Sequence, residues 1–364
     1  MGKRKIIFSV INDLSTDRRM QRVCSSLQSN GYDVVLVGRV LYCSEPVHFQ
    51  FISKRLKCFF NKGKLFYLEY NIRLFFFLLF NKASIYAAVD LDTILPNLLV
   101  SKFRRKPCVY DAHEYFSEVP EVVNRKLTKA IWEKIASFSI PKMKRCYTVS
   151  NALASEFQNR YKVPFHVIKN CPPLETETQP ILQPDVPQPY VLYQGALNEA
   201  RGLEELINSA KYLNCHVVIA GTGDLDDSLK QLAEMLGVQE KVTFIGKFSK
   251  NGILPYTKHA FVSYTLLLNK GRSYYNSLAN KFFDSVMAET PVLMPPFPAY
   301  KALNKEFEVG VEVECTSKSI VFTVNELLEN RSKHKLFVEN CKKAKQHWNW
   351  QVEERKLLDL INSI

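Results

Sequence analysis

The segment Asn276-Ser277-Leu278-Ala279-Asn280-Lys281-Phe282-Phe283-Asp284 combines residue types that suit a phosphorylated ligand. A polar turn leads into a helical pattern of about ten residues, and Pro291 then opens an apolar run. The first N–H groups of a helix lack intrahelical partners and make a ready anion site. Lys281 falls in the first turn, where the helix dipole disfavours a cation. A bound phosphate explains that position. Asp284 lies one turn further, on the side of Asn280 and Lys281, where its carboxylate can accept hydrogen bonds from a ribose diol. The plainer alternative is a capped core helix with one solvated lysine. Two further turns carry glycine. In Gln194–Gly202, Gly195 permits close backbone approach, and the planar fork of Arg201 suits a diphosphate. Ala220-Gly221-Thr222-Gly223-Asp224 is a glycine turn of a kind that many α/β proteins contain.

Three polar clusters mark the first half of the chain: Asn12–Arg19, Asp90-Leu91-Asp92 and Asp111-Ala112-His113-Glu114. Each follows an apolar strand-like run, so all three converge on one edge of one sheet. His113, flanked by acids at a strand end, is a candidate for acid/base or hydrogen-bonding work. A lone histidine is more often structural, but this one is not alone.

The elements that must position these residues read as alternating buried strands and helices. Lys5–Ile11, Asp33–Arg39, Ser84–Asp90, Cys108–His113, Cys146–Ser150 and His166–Lys169 are strand-like, and Arg18–Gln28 is helical in pattern. This alternation predicts parallel sheets covered on both faces. Residues 172–189 hold six prolines and no helical period, which predicts an interdomain linker. Six further strand-like runs follow: YVLYQGA, HVVIAGTGD, VTFIG, FVSYT, PVLMP and VGVEVE. Trp348–Ile364 reads as an amphipathic helix. The expected organisation is a first domain over 1–171, a linker over 172–189, a second domain over 190–346, and a terminal helix over 347–364. Open α/β sheets bind ligands at the carboxyl ends of their strands, where the clusters above lie.

Length and composition agree. A chain of 364 residues with 46% hydrophobic and 23% charged content has the makings of about two folded domains. The 9 cysteines form no CxxC pair, which argues against a zinc cluster and fits a reducing compartment. No signal peptide or spanning helix is expected, because the longest apolar run, Leu74–Phe80, is far short of about 20 residues.

The net charge is +13, of which residues 1–106 supply +11. The first domain therefore faces something anionic. Residues 51–82 carry seven cations (Lys54, Arg55, Lys57, Lys62, Lys64, Arg73, Lys82) against Glu69, interleaved with ten aromatic residues. Read as a basic, aromatic helix pair, the segment suits an anionic bilayer, each cation adding about 1 kcal/mol near such a surface. The alternative is a core helix with solvated flanks. A nucleic-acid partner is not expected, since no RRM, KH or zinc-finger pattern and no basic recognition helix is present.

Taken in order, VINDLSTDRR, the DLDT at 90–93, DAHEYF, TVSNAL, YQGALNEARGLEELI, IAGTGD, VTFIGKF and SLANKFFDSVMAETPVL resemble the blocks of a GT-B glycosyltransferase of family 4. The resemblance covers essentially the whole chain. It implies two Rossmann-like domains facing across a cleft, with the terminal helix crossing back to the first. It implies a retaining, metal-independent transferase that moves a hexosyl-type group from a nucleoside diphosphate sugar to a glycan or lipid-linked acceptor. Cell-surface polysaccharide synthesis at the inner face of the cytoplasmic membrane is the setting it suggests. Arg201 and Lys281 would meet the diphosphate, with Gly195, Gly221, Gly223, Asn276, Ser277 and Leu278 around the donor, and Asp284 would hold the ribose. His113 would act near the transferred sugar. Asp13, Arg19, Asp92 and Glu114 would lie on the acceptor side, Asp13 and Arg19 in a closing loop. No metal or other cofactor is implied. Two departures stand out: Asn276 occupies the first acidic position of the E-x7-E motif, and Ala196 the place of an arginine. A sugar-nucleotide epimerase of the same fold and an inactive relative are the competing expectations.

Overall fold

A computed structural model describes residues 3–42, 44–174 and 181–364. Cys43 and part of the proline-rich stretch lie outside the described residues. The chain divides into two compact units, 1–169 with 353–364, and 170–352.

In the first unit, seven strands form one parallel sheet: β1 (Lys5–Asp13), β2 (Asp33–Arg39), β3 (Ile52–Leu56), β4 (Ile85–Val89), β5 (Cys108–Ala112), β6 (Arg145–Thr148) and β7 (Phe165–Val167). Their spatial order is β3-β2-β1-β4-β5-β6-β7. Strands β4 and β5 are buried at every position, as inner strands of a sheet covered on both faces must be. The helices are α1 (Arg18–Ser29), α2 (Gly63–Phe80), α3 (Ile94–Phe103), α4 (Pro120–Val123), α5 (Lys126–Ser139) and α6 (Asn151–Tyr161).

The segment expected to be a basic helix pair is instead one strand and one helix. β3 (ISKRL) pairs with β2 and closes the edge of the sheet. Its polar sequence suits an edge, where cations discourage further pairing. The helix α2 then buries only Phe66, Tyr70, Leu74 and Leu78.

The second unit repeats the plan with six parallel strands: β8 (Tyr190–Gln194), β9 (His216–Ala220), β10 (Val242–Gly246), β11 (Val262–Tyr264), β12 (Val292–Met294) and β13 (Gly310–Glu312). The order is β10-β9-β8-β11-β12-β13, so the strand order reverses between β8 and β11 as it does between β1 and β4. That reversal opens the crevice where such sheets take ligands. The helices are α7 (Leu203–Ala210), α8 (Asp226–Met235), α9 (Lys250–His259), α10 (Arg272–Tyr275), α11 (Asn280–Met287), α12 (Pro298–Glu306), α13 (Ser317–Glu329), α14 (Arg331–His347) and α15 (Trp350–Asn362). The one-turn α10 was not legible in the sequence, and α11 has eight residues, shorter than expected.

The tail divides differently from the sequence pattern. Trp348 ends α14 and is buried against the rings of Phe282, Phe283 and Phe307. The last helix begins at Trp350, and only its residues from Glu353 onward belong to the first unit. There the buried carboxylate of Glu353 accepts from the backbone N–H of Lys169 at 2.9 Å.

Candidate donor and acceptor sites

In the second unit the candidate residues gather at the carboxyl ends of β8 and β9 and at the start of α11. Gly195 follows β8 with φ +137, and a methyl group there would meet only the Tyr193 ring at ordinary contact distance. Its position therefore demands glycine for backbone reasons and leaves room above it. Gly221 and Gly223 differ. A side chain on Gly221 would run into the carbonyl oxygen of Gly195, and one on Gly223 into Asn198 and the Leu197 carbonyl. Loop-on-loop packing requires glycine at both positions, and at Gly221 the backbone φ of +143 requires it as well.

Lys281 lies in the first turn of α11 and is 9% exposed. Its ammonium sits 3.9 Å from the centre of the Tyr193 ring, and its Nζ has no hydrogen-bond partner. Burial pushes its pKa well below the ordinary lysine range, and the nearby Arg201 guanidinium pushes the same way. Arg201 stacks over Tyr274 at 5.3 Å, and its Nε is likewise buried without a partner. Two cations are thus brought together, padded by tyrosines, with no protein carboxylate paired to either among the described residues. Such an arrangement is costly unless an anion is supplied.

The surrounding turn is tightly tied. The Ala279 N–H donates to the Tyr300 hydroxyl at 2.9 Å, and Ser277 Oγ donates to the Tyr274 carbonyl at 2.8 Å. Leu278 is buried beneath the turn, and Asp284 is half-buried one turn along α11. Asn276 Nδ2 donates to the Arg272 carbonyl at 3.0 Å and so closes α10. A glutamate carboxylate could not donate that bond, which gives the departure at this position a physical reason.

In the first unit a charged network sits at the ends of β1, β4 and β5. Arg19 makes two hydrogen bonds to Asp111, at 3.0 and 3.3 Å, and a third to the Ile168 carbonyl at 3.0 Å. The His113 ring nitrogens face Asp111 Oδ2 at 3.1 Å (Nε2, without hydrogen-bond alignment) and Asp90 Oδ2 at 3.5 Å (Nδ1). Burial opposes protonation of His113, but Asp111 and Asp90 more than offset it and raise the pKa to about 9. Burial would raise Asp111, but Arg19 and His113 bring it down to about 2. Asp90 has φ +54 and accepts from the His113 N–H at 2.8 Å; burial holds its carboxyl above the usual range despite that histidine.

This network corrects the expected place of Arg19. Asp17 caps α1 by accepting from the Met20 N–H, so Arg19 lies in the first helical turn and not in a closing loop. Its charge is buried and directed at Asp111. Asp13 is also engaged: it accepts from the Ser44 hydroxyl at 2.5 Å and the Ser15 N–H at 3.1 Å, with Arg55 at 3.8 Å. Burial opposes ionisation of Asp13, but these hydrogen bonds and Arg55 lower its pKa overall. Asp92 is buried with an unpartnered Oδ1, and burial, then Asp90 and Glu114, hold its pKa well above the carboxylate range. Glu114 is exposed. Asp90 and Asp111 are the residues the sequence reading did not select, although both lie in the clusters it named.

The paired parallel sheets match the solved sucrose-phosphate synthase of Thermosynechococcus elongatus with a TM-score of 0.81, at 14% identity over 99% of each chain. They match Anabaena HepE, solved in complex with UDP and glucose, with a TM-score of 0.76 at 13% identity, over 99% of this chain and 100% of that one. The protein has the GT-B fold. Residues 175–344 match the model of the family "Glycosyl transferases group 1". An uncharacterized glycosyltransferase of Methanocaldococcus jannaschii is 27% identical over 166 residues, which is 44% of this chain. The matched part spans 41% of that relative's length.

Proposed function

We propose that the protein transfers a hexosyl-type sugar, with retention, from a nucleoside diphosphate sugar to a glycan or lipid-linked acceptor. The proposed setting is cell-surface polysaccharide synthesis at the inner face of the cytoplasmic membrane. The observation that carries the donor half is the unpartnered pair Lys281 and Arg201 at the β8 end of the second unit. A diphosphate supplies the anion that this pair lacks. HepE, of the same fold, was solved with UDP and glucose, which supports a nucleotide sugar as donor.

In this reading the bond from the sugar C1 to the diphosphate oxygen breaks while Lys281, Arg201 and the α11 N–H groups stabilise the departing charge. The acceptor hydroxyl forms the new bond to C1, and its proton passes to the leaving phosphate oxygen. Asp284 holds the ribose. With both ring nitrogens facing carboxylates, His113 works as a hydrogen-bond donor and fixed charge more than as a base. Asp92 and Glu114 offer hydrogen bonds to acceptor hydroxyls. The two cations take the role that a divalent ion plays elsewhere, so no metal is required. Retention is carried over from the family that the sequence resembles.

The experiment is incubation of the purified protein with sugar nucleotides, with and without acceptor glycans, in chelator, read by NMR of the product anomer. Acceptor-dependent product of unchanged anomeric configuration supports the proposal. An epimerised donor formed without acceptor establishes the epimerase instead, and an inverted product removes retention.

A further inference from the structure

Helix α2 has two apolar stripes on opposite sides. Phe66, Tyr70, Leu74 and Leu78 face the sheet and are buried. Leu65, Leu68, Ile72, Phe76 and Phe80 recur at spacings of three and four on the other side and are all exposed, Phe80 at 78%. An ordinary surface helix carries one apolar stripe and a polar back. The excess continues onto the neighbours. Leu99 and Phe103 of α3 and Leu127, Ile131 and Phe138 of α5 are exposed at spacings of one or two helical turns.

These three helices lie side by side. Tyr86 and Cys108 pack under α2, while Ala88 and Tyr110, on the same face of the same strands, pack under α5. Tyr67 meets Trp132 edge-on at 5.5 Å, which ties α2 to α5. The charge on the slab has one sign. Every exposed charged residue on the three helices is a lysine: Lys64, Lys102, Lys126 and Lys134. Their two acids are each held by an arginine, Glu69 by Arg73 and Glu133 by Arg160.

We infer that the outer faces of α2, α3 and α5 form a docking surface for a bilayer rich in anionic phospholipid. The apolar stripes enter the headgroup and acyl boundary, and the lysines pair with phosphates. No helix among the described residues is long and apolar enough to cross a membrane, so the contact is made along the surface. This surface differs from the one the sequence suggested: β3 belongs to the sheet edge, and α3 and α5 take its place. The inference rests on the membrane part of the reading above and not on its chemistry.

The test is flotation with vesicles of phosphatidylcholine alone and with roughly one-third phosphatidylglycerol, using wild type, Ile72→Glu/Phe76→Glu, and Lys64→Glu/Lys102→Glu/Lys134→Glu. Nucleoside diphosphate binding by each variant reports that the fold and the donor site are intact, and separates failure here from failure of the donor reading. Wild type is expected to float with anionic vesicles only, less so in high salt, and each variant to lose roughly tenfold in partition. Equal partition onto both vesicle types, or variants that float like wild type, overturns the inference. So does concentration-dependent dimerisation that Ile72→Glu/Phe76→Glu abolishes while lipid has no effect, because the occupant is then a second copy of the chain.

Discussion

The charged clusters of the two units follow opposite plans. In the first, Arg19, Asp111, His113 and Asp90 answer one another, so the network is self-contained. In the second, Lys281 and Arg201 lie close together with no protein carboxylate paired to either among the described residues. A neutralised network holds its own geometry and gains little from a charged ligand. A cation pair without an anion is poised to gain much. The difference is the ground for proposing the second unit as the nucleotide site, with Arg19 and Asp111 in a positioning role through His113.

The largest effect that would break this comparison is on stability. Arg19→Met leaves buried Asp111 without its guanidinium partner, and loss of one partner of a buried pair costs about 3–5 kcal/mol. Chemical denaturation should show that loss, whereas Lys281→Met should leave the unliganded protein as stable as wild type or more so. Equal destabilisation by both substitutions would mean that the two clusters are built alike.

Activity should reverse the ranking. On the proposed mechanism, Lys281→Met and Arg201→Ala each remove a group that stabilises departing charge, an effect of about 2.7–4 kcal/mol for comparable donors, or a fall of about 10²–10³ in kcat/KM. Unchanged kcat/KM in both variants removes these residues from the chemistry.

The pH dependence of stability sharpens the same contrast. His113 is raised from its ordinary value of 6.5 to about 9, so its contribution is complete below about pH 6.5 and is lost as pH rises through 9. Asp111 is lowered from 3.8 to about 2, so its contribution is complete above about pH 4 and is lost as pH falls through 2. Unfolding free energy should therefore fall between pH 6.5 and 9.5, and His113→Gln should flatten that part of the profile. The smallest effect comes from Lys281, whose lowered pKa rises when an anion binds. Calorimetry in buffers of different ionisation enthalpy should show proton uptake on nucleotide binding, and none in Lys281→Met.

Much of the fold was legible in the sequence because buried parallel strands are nearly continuous apolar runs. β1, β4, β5, β8 and β9 stand out for that reason. β3 was not legible, since an edge strand such as ISKRL satisfies no apolar pattern. The clusters at strand ends were legible as places where polar residues interrupt apolar runs. Which of their members pair was not, because Arg19 and Asp111 are 92 positions apart and meet only through β1–β4–β5 pairing. The cap at Asp17 did carry the signal that Arg19 begins a helix. Glycine was the least specific guide: of the three candidates, Gly221 and Gly223 are needed for packing between loops, and Gly195 alone has room beside it.

The most direct measurement is a thermal-shift titration of UDP, GDP, ADP and CDP and their sugar conjugates against wild type, Lys281→Met and Arg201→Ala. A ligand at 100 times its Kd stabilises by about 2.7 kcal/mol. One base should stabilise wild type clearly, with the shift lost in both variants. Silence across the panel, or the same shift in all three proteins, would contradict a nucleoside diphosphate site built on Lys281 and Arg201.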